Sequence, residues 1–290
     1  MGDMMAVGRN IRTYFQGTWH DGDVALMKGA DHAMWLGSSV FDGARFFDGM
    51  TPDLDLHCAR TNASARALLM SPTLETRAMV EIALEGLQGF APGAAVYIRP
   101  MYWATSGDAT TIAPAPESTE FALCLEEIPM ASAEASATLT RTQFRRPVLE
   151  NAVVNAKAGC LYPNNARMLR EAQSRGFSNA LALDAMGNVA ETATANIFMV
   201  RDGEVFTPIP NGTFLAGITR ARHIANLRAD GVTVHETVLG LGDFEEADEI
   251  FMSGNMSKVT PVTAFDERSY QIGPVAKRVR ELYWDWAASQ

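Results

Sequence analysis

Residues 151–166 read NAVVNAKAGCLYPNNA and carry one charge, Lys157, flanked outside the stretch by Glu150 and Arg167. Lysine is scarce in this chain. It occurs only at positions 28, 157, 258 and 277, and the other twenty basic residues are arginines. A lone amine among small and apolar residues is expected to lose part of its hydration, which disfavours the ammonium form. A neutral amine is a nucleophile, and proteins use such a lysine mainly to form a Schiff base with a carbonyl. The competing reading is structural: the lysine stem lies on apolar surface while its head reaches water. The stretch alone leaves both open, so the surrounding chain has to decide.

With 290 residues, the chain has room for two domains or one large one. Its hydrophobic share of 47% and charged share of 20% are those of a globular protein. A net charge of −10 argues against nucleic acid or an anionic membrane as the main partner, while leaving room for a local basic pocket. Cys58, Cys124 and Cys160 sit at neither metal-ligand nor redox spacing, and an odd count argues against a disulfide framework. A reducing cytoplasm fits this usage. The opening MGDMMAVGRN lacks the apolar core of a signal peptide, and no apolar run approaches the 18 or so residues of a membrane span.

Outward from the lysine, strands and helices intermix. Residues 12–20 read as one strand, and residues 38–47 as a strand bent at Asp42-Gly43. Residues 55–70 have helical spacing, with Leu56, Ala59, Ala63, Ala67 and Met70 on the inward face. A second helix starts after Ser71-Pro72-Thr73 and runs to about Gly89; strands follow at 94–103 and 120–128. The small, polar residues 130–136 are the expected linker between domains 1–129 and 137–290. Beyond it, strands are expected at 137–144, 179–184, 189–200, 204–207, 232–238 and 249–253. Helices are expected at 165–175, 218–228 and 274–286. The pattern predicts an α+β fold: two α/β domains with mixed sheets.

Four features could act with Lys157. Gly217-Ile218-Thr219-Arg220 leads a glycine directly into a helix, whose free N–H groups and positive dipole end suit a phosphate. Arg60, beside Ala59 and Ala63, offers a fork of donors for the same anion. Glu191, in the neutral run VAETATANIF, would need a cationic partner if buried; a pyridinium nitrogen would be one. Tyr97 and Arg99, two apart on a strand, share a face, and Arg45 lies in the bent segment. Two arginines and a phenol could hold a substrate carboxylate. Each feature also has an ordinary structural reading as a helix start, a solvated arginine, a strand-edge glutamate or a surface ladder. The histidines show no ligand spacing, so no metal is expected.

Taken in order, Phe41-Asp42-Gly43-Ala44-Arg45, His57-Cys58-Ala59-Arg60, Tyr97-Ile98-Arg99-Pro100, Lys157 to Tyr162, Leu181 to Phe198, Leu215 to Arg220 and Phe251 to Gly254 resemble the motifs of class IV pyridoxal-phosphate aminotransferases, most of all the branched-chain amino acid aminotransferase group. The resemblance runs over nearly the whole chain. It implies the fold of type IV pyridoxal-phosphate enzymes, like D-amino acid aminotransferase: two α/β domains with the cofactor between them, in a homodimer. It implies that Lys157 carries pyridoxal 5′-phosphate as a Schiff base and shuttles the proton, that Tyr162 bonds the ring hydroxyl and that Glu191 pairs with the ring nitrogen. Arg60, Ile218 and Thr219 would bind the phosphate, with Asn196, Leu215, Gly217 and Asn255 also against the cofactor. Phe41, Gly43, Arg45, Tyr97, Arg99, Met256 and Ser257 would line the substrate side. The implied substrates are an amino acid, a branched-chain L-amino acid first, and a 2-keto acid such as 2-oxoglutarate.

Two departures bear on the substrate. Leu36 precedes Gly37 where the group usually has tyrosine, and Asn255-Met256-Ser257 stands where it usually has Thr-Ala-Ala. The alternatives on the same fold are a D-amino acid or (R)-amine transaminase and an aminodeoxychorismate lyase. A non-catalytic binding protein that has kept the fold is the alternative from another class.

Overall fold

The computed structural model describes residues 8–290. By its contacts the chain divides into two compact units. One takes the chain through Met130 together with Ala156–Cys160, and the other takes Ala131–Asn155 and Leu161–Gln290.

The first unit contains β1 (Arg9–Phe15), β2 (Thr18–Asp21), α1 (His32–Leu36), β3 (Ser39–Phe41), β4 (Ala44–Phe46), α2 (Leu54–Ala67), α3 (Thr76–Leu87), β5 (Val96–Ala104) and β6 (Thr119–Glu127). Among the described residues its sheet has six strands in the order β2-β1-β6-β5-β3, with β4 also on β5, and every pairing is antiparallel. The strand expected over 12–20 is a hairpin. Gln16 and Gly17 both take positive φ (49° and 78°), the backbone a tight two-residue turn demands.

Helix α2 turns most of the expected inward face outward, although Met70, beyond its end, is buried as expected. Leu56 is 44% exposed and Ala59 and Ala63 lie outward, whereas His57, Cys58, Thr61, Asn62, Ser64 and Ala65 are buried. Polar groups can be buried there because they are bonded: His57 to Asp42, Asn62 to the Leu74 carbonyl and Ser64 to the Lys157 amide. Arg60 sits on the flank of this face.

The second unit contains β7 (Ala137–Arg145), α4 (Tyr162–Ser174), β8 (Asn179–Leu183), β9 (Val189–Thr192), β10 (Asn196–Arg201), β11 (Glu204–Pro208), α5 (Ile218–Ala229), β12 (Val234–Thr237), α6 (Leu241–Glu245), β13 (Glu249–Gly254), β14 (Lys258–Phe265), β15 (Arg268–Ser269) and α7 (Pro274–Ala288). Among the described residues its sheet has nine strands in the order β12-β11-β10-β13-β14-β7-β8-β9, with β15 on β14. The sheet is mixed: β11–β12, β14–β7 and β7–β8 are parallel. The fold is α+β. Both faces of the sheet are covered, which explains the unbroken apolar run Ile197-Phe198-Met199-Val200. Ile197 and Met199 pack with Leu139, Leu181, Phe244 and Ile250; Phe198 and Val200 pack with Phe251, Ile224 and Leu227 of α5 and Val279 of α7. The strand expected over 189–200 is broken at 193–195. There Thr192 bonds both the amide and the carbonyl of Ala195, and a tight turn brings Asn196 back beside Glu191. Helix α4 starts at Tyr162, earlier than expected, because Pro163 fits a first turn, where no N–H is missed.

Candidate active site

Lys157 packs with the first unit rather than with the chain on either side of 156–160. Its backbone explains why. The Phe41 amide donates to the Lys157 carbonyl (3.1 Å), the Lys157 amide donates to Ser64 Oγ (3.0 Å), and Val40 and Ala158 form an antiparallel bridge. Gly159 has no Cβ because one would stand 2.7 Å from Ser39 Oγ. Lysine Nζ lies 5.0 Å from the centre of the Phe41 ring. The amine is thus carried on a segment pinned to a strand and a helix, which fixes its origin.

Behind this segment, Asp42 is fully buried. Its carboxylate accepts from Gly43 N (2.7 Å), His57 Nδ1 (2.7 Å), Arg60 Nε (2.6 Å) and Arg60 Nη2 (2.9 Å). Burial pushes the Asp42 carboxyl up, but Arg60 and His57 outweigh it and hold it well below the usual carboxylate range. The two-point pairing fixes the plane of the Arg60 guanidinium. The motif residues Asp42 and His57 therefore position Arg60, a role sequence reasoning did not assign them.

On the same sheet, Arg45 and Tyr97 are register partners. Gly43 is required where it stands, since a Cβ would lie 2.1 Å from Tyr97 Oη. Arg45 is 1% exposed; Nε donates to Met130 Sδ (3.2 Å) and Nη2 to the Ile128 carbonyl, while Nη1 finds no acceptor among the described residues. Burial lowers its guanidinium to about 10. Arg99 is ion-paired with buried Glu126 and stacks over Tyr97, 5.2 Å from the ring centre. Its charge is answered within the sheet.

In the second unit Glu191 is 8% exposed. Arg146 Nη2 reaches its Oε1 (3.0 Å) and Asn196 Nδ2 its Oε2 (3.2 Å). Arg146 is itself buried and donates to Asn165 Oδ1 (2.5 Å) and the Thr213 carbonyl (3.3 Å). Asn196 also donates to the Leu215 carbonyl (3.1 Å). A buried carboxylate needs such partners, and here it has a cation and an amide upon it. Sequence reasoning missed Arg146. It lies among three arginines within 141–146, and nothing in the sequence marks which of them is buried.

Leu215 leads to Gly217, the residue before α5. A Cβ there would stand 2.1 Å from Asn196 Oδ1, so only glycine lets the helix start come this close. The first bond inside α5 runs from Ala221 N to the Gly217 carbonyl (2.9 Å), so the earlier N–H groups at Ile218 and Thr219 have no partner within the helix. Arg220 turns away: it pairs with Glu236 (3.0 Å) and donates to the Pro208 carbonyl (2.9 Å). Asn196 also lies in register with Ser253 of β13, which ends at the turn Asn255-Met256-Ser257. Ser253 Oγ and Asn255 Nδ2 are buried polar atoms with no partner among the described residues. Glu191, Asn196, Leu215 and Gly217 are thus brought together within this unit, with Ile218 and Thr219 next along α5, and Met256 stands 44% exposed on the turn. Tyr162, at the start of α4, is 39% exposed.

The family profile described as amino-transferase class IV matches residues 39–265. The chain belongs to the class IV aminotransferases. It is similar to an aminotransferase from Brucella abortus, solved by X-ray crystallography bound to the cofactor PLP: 62% identity, 97% of this chain and 100% of that one covered, TM-score 0.95. It is 30% identical to a putative branched-chain-amino-acid aminotransferase of Methanocaldococcus jannaschii, over 95% of this chain and 96% of that one. The solved branched-chain amino acid aminotransferase of Escherichia coli covers 96% of this chain and 95% of its own, at 26% identity and TM-score 0.90. This class IV enzyme is an aminotransferase dependent on pyridoxal 5′-phosphate. The residues fit the cofactor: orphaned donors and a helix start for a phosphate, and a buried, clamped carboxylate for a ring cation. Among the described residues no group of side chains could hold a metal ion, and no helix is long and apolar enough to cross a membrane.

Proposed function

We propose that this aminotransferase moves an amino group between a branched-chain L-amino acid and 2-oxoglutarate, with each motif residue in the role its chemistry suits. The observation that carries the reading is Glu191, a buried carboxylate clamped by Arg146 and Asn196. Such a group is suited to pair with a protonated ring nitrogen. Pyridoxal phosphate, when bound, supplies a carbonyl for the amine and an electron sink for the carbanion.

Lys157 would hold the cofactor covalently and, once free, would move a proton between the substrate α-carbon and the cofactor C4′. Its pinned backbone fixes where Nζ starts from. Tyr162 donates its O–H to the ring hydroxyl oxygen. Glu191 would accept the ring N–H, with Arg146 holding the carboxylate in place. The N–H groups of Ile218 and Thr219, the cation Arg60 and the amide of Asn255 bind the phosphate, with Gly217 and Leu215 shaping the approach. Phe41, Gly43, Arg45 and Tyr97 line the substrate side, and Arg45 answers a carboxylate. Arg99 holds Tyr97, and Met256 and Ser257 contact the part of the substrate that sets preference. We place the enzyme in the cytoplasm as a homodimer, on the strength of its thiol usage and its family.

Asn255-Met256-Ser257, bulkier than Thr-Ala-Ala, favours as second reading a transaminase of D-amino acids or (R)-amines. The test is turnover of L-leucine, D-alanine and (R)-1-phenylethylamine with 2-oxoglutarate. Fast L-leucine supports the first reading. Inert L-leucine with a fast D- or (R)-substrate replaces it with the second. Pyruvate release from aminodeoxychorismate points to a lyase.

A further inference from the structure

The turn after β13 is closed by a buried lysine that no role above uses. Lys258, the first residue of β14, is 2% exposed and has positive φ, 61°. That is the left-handed position that closes a three-residue hairpin loop, and a residue other than glycine holds it only where its surroundings fix it. Both ends of Lys258 are fixed. Its carbonyl is bonded to His223 Nε2 of α5 (3.2 Å), and its Nζ donates to Asn255 Oδ1 (2.6 Å) at 5.3 Å from the Tyr283 ring centre. An amide whose oxygen is taken by an ammonium donor has its orientation settled: Oδ1 toward the lysine, Nδ2 away. That Nδ2 is buried and meets no acceptor among the described residues. A buried donor left unpaired is costly, so its persistence points to a partner that arrives with a ligand.

The neighbourhood says what the ligand is. Asn196 connects the start of α5, through its contact with the Gly217 position, to Ser253, whose buried Oγ is also without a partner among the described residues. His223, on the second turn of α5, meets Lys258. Through Asn196 and His223, α5 is therefore tied to the strands on both sides of the turn, β13 at Ser253 and β14 at Lys258. An orphaned N–H and an orphaned hydroxyl beside a helix N-terminus together make an anion site.

We propose that Lys258 is a positioning residue for phosphate recognition: by holding Asn255 Oδ1 it presents Asn255 Nδ2 to the phosphate at the start of α5, and so selects phosphorylated over unphosphorylated cofactor. This rests on the functional reading above. It also accounts for Asn255, which stands where the branched-chain group usually has threonine. A hydroxyl carries its own rotatable donor and needs no lysine to orient it; an amide does.

The test is equilibrium binding of pyridoxal 5′-phosphate and of pyridoxal to full-length apoprotein, with inorganic phosphate as competitor. Lys258→Met and Asn255→Ala are each expected to weaken pyridoxal 5′-phosphate about ten- to a hundredfold, the value of one hydrogen bond to a charged group, and to leave pyridoxal unchanged. Inorganic phosphate should lose affinity in parallel. The double variant Lys258→Met/Asn255→Ala should be no worse than either single one. Lys258→Met/Asn255→Thr should regain the wild-type preference for the phosphorylated form, which a purely structural lysine would not allow. Equal weakening of both cofactor forms, or no rescue by threonine, overturns the proposal. Should Lys258→Met fail to fold, Asn255→Ala and Asn255→Thr decide with Lys258 in place: an unchanged ratio in Asn255→Ala overturns the proposal. Wild-type apoprotein that binds no pyridoxal 5′-phosphate refutes the functional reading and this inference with it. An unaltered ratio in variants of a protein that does bind refutes the inference alone.

Discussion

Arg146→Met removes the cation from the Glu191 carboxylate, and its cost can be worked from the structure. The two groups are 3.0 Å apart, with side chains 5% and 10% exposed. At an effective dielectric near 20 their attraction is about 5–6 kcal/mol, largely offset by the cost of desolvating both. The variant forfeits the attraction without recovering the desolvation of the carboxylate, and such truncations cost about 3–5 kcal/mol. It also orphans Asn165 Oδ1 and the Thr213 carbonyl, which Arg146 serves now. Urea unfolding of apoprotein, wild type against variant, reads this loss without any cofactor. Arg146→Lys, which keeps charge but not the fork, should fall between the two. A loss under about 1 kcal/mol would show that Glu191 does not depend on Arg146.

Three further outcomes are expected. His223 is fully buried beside Phe198 and Tyr283, and burial holds its imidazole down from the usual 6.5 to about 4. Stability should be intact above pH 6.5 and fall by up to about 3 kcal/mol as pH drops toward 4; His223→Gln should flatten this slope in urea titrations. Gly217→Ala places a methyl 2.1 Å from Asn196 Oδ1 and should weaken pyridoxal 5′-phosphate binding at least about tenfold in spectrophotometric titration, by pushing Asn196 off Glu191. Gly43→Ala places one 2.1 Å from Tyr97 Oη, and should raise KM for the amino acid in steady-state assays while leaving cofactor affinity near wild type.

The sequence carried the lysine, the glycine that opens α5, and the α+β mixture, because each rests on local chemistry: a lone amine, a helix start, alternating turns. It could not say which side of α2 is buried. Hydrophobic spacing pointed to Leu56, Ala59 and Ala63, but the tertiary bonds of His57, Asn62 and Ser64 decide the matter, and they involve partners up to 93 residues away. The Thr192–Ala195 turn was hidden because residues with strand preference also suit a hydroxyl-bonded turn. Arg146 and Asp42 escaped a role for a related reason: each acts through another charged group, and only burial and distance reveal such pairs.

Lys157 is the residue proposed to bond the cofactor. The direct measurement is borohydride reduction of the protein with bound pyridoxal 5′-phosphate, followed by proteolysis and mass mapping of the fixed label. The account predicts one labelled peptide, containing Lys157, and loss of that label together with the yellow colour in Lys157→Ala. A label on Lys28, Lys258 or Lys277 instead, or a colourless wild-type protein that takes up no label, would contradict it.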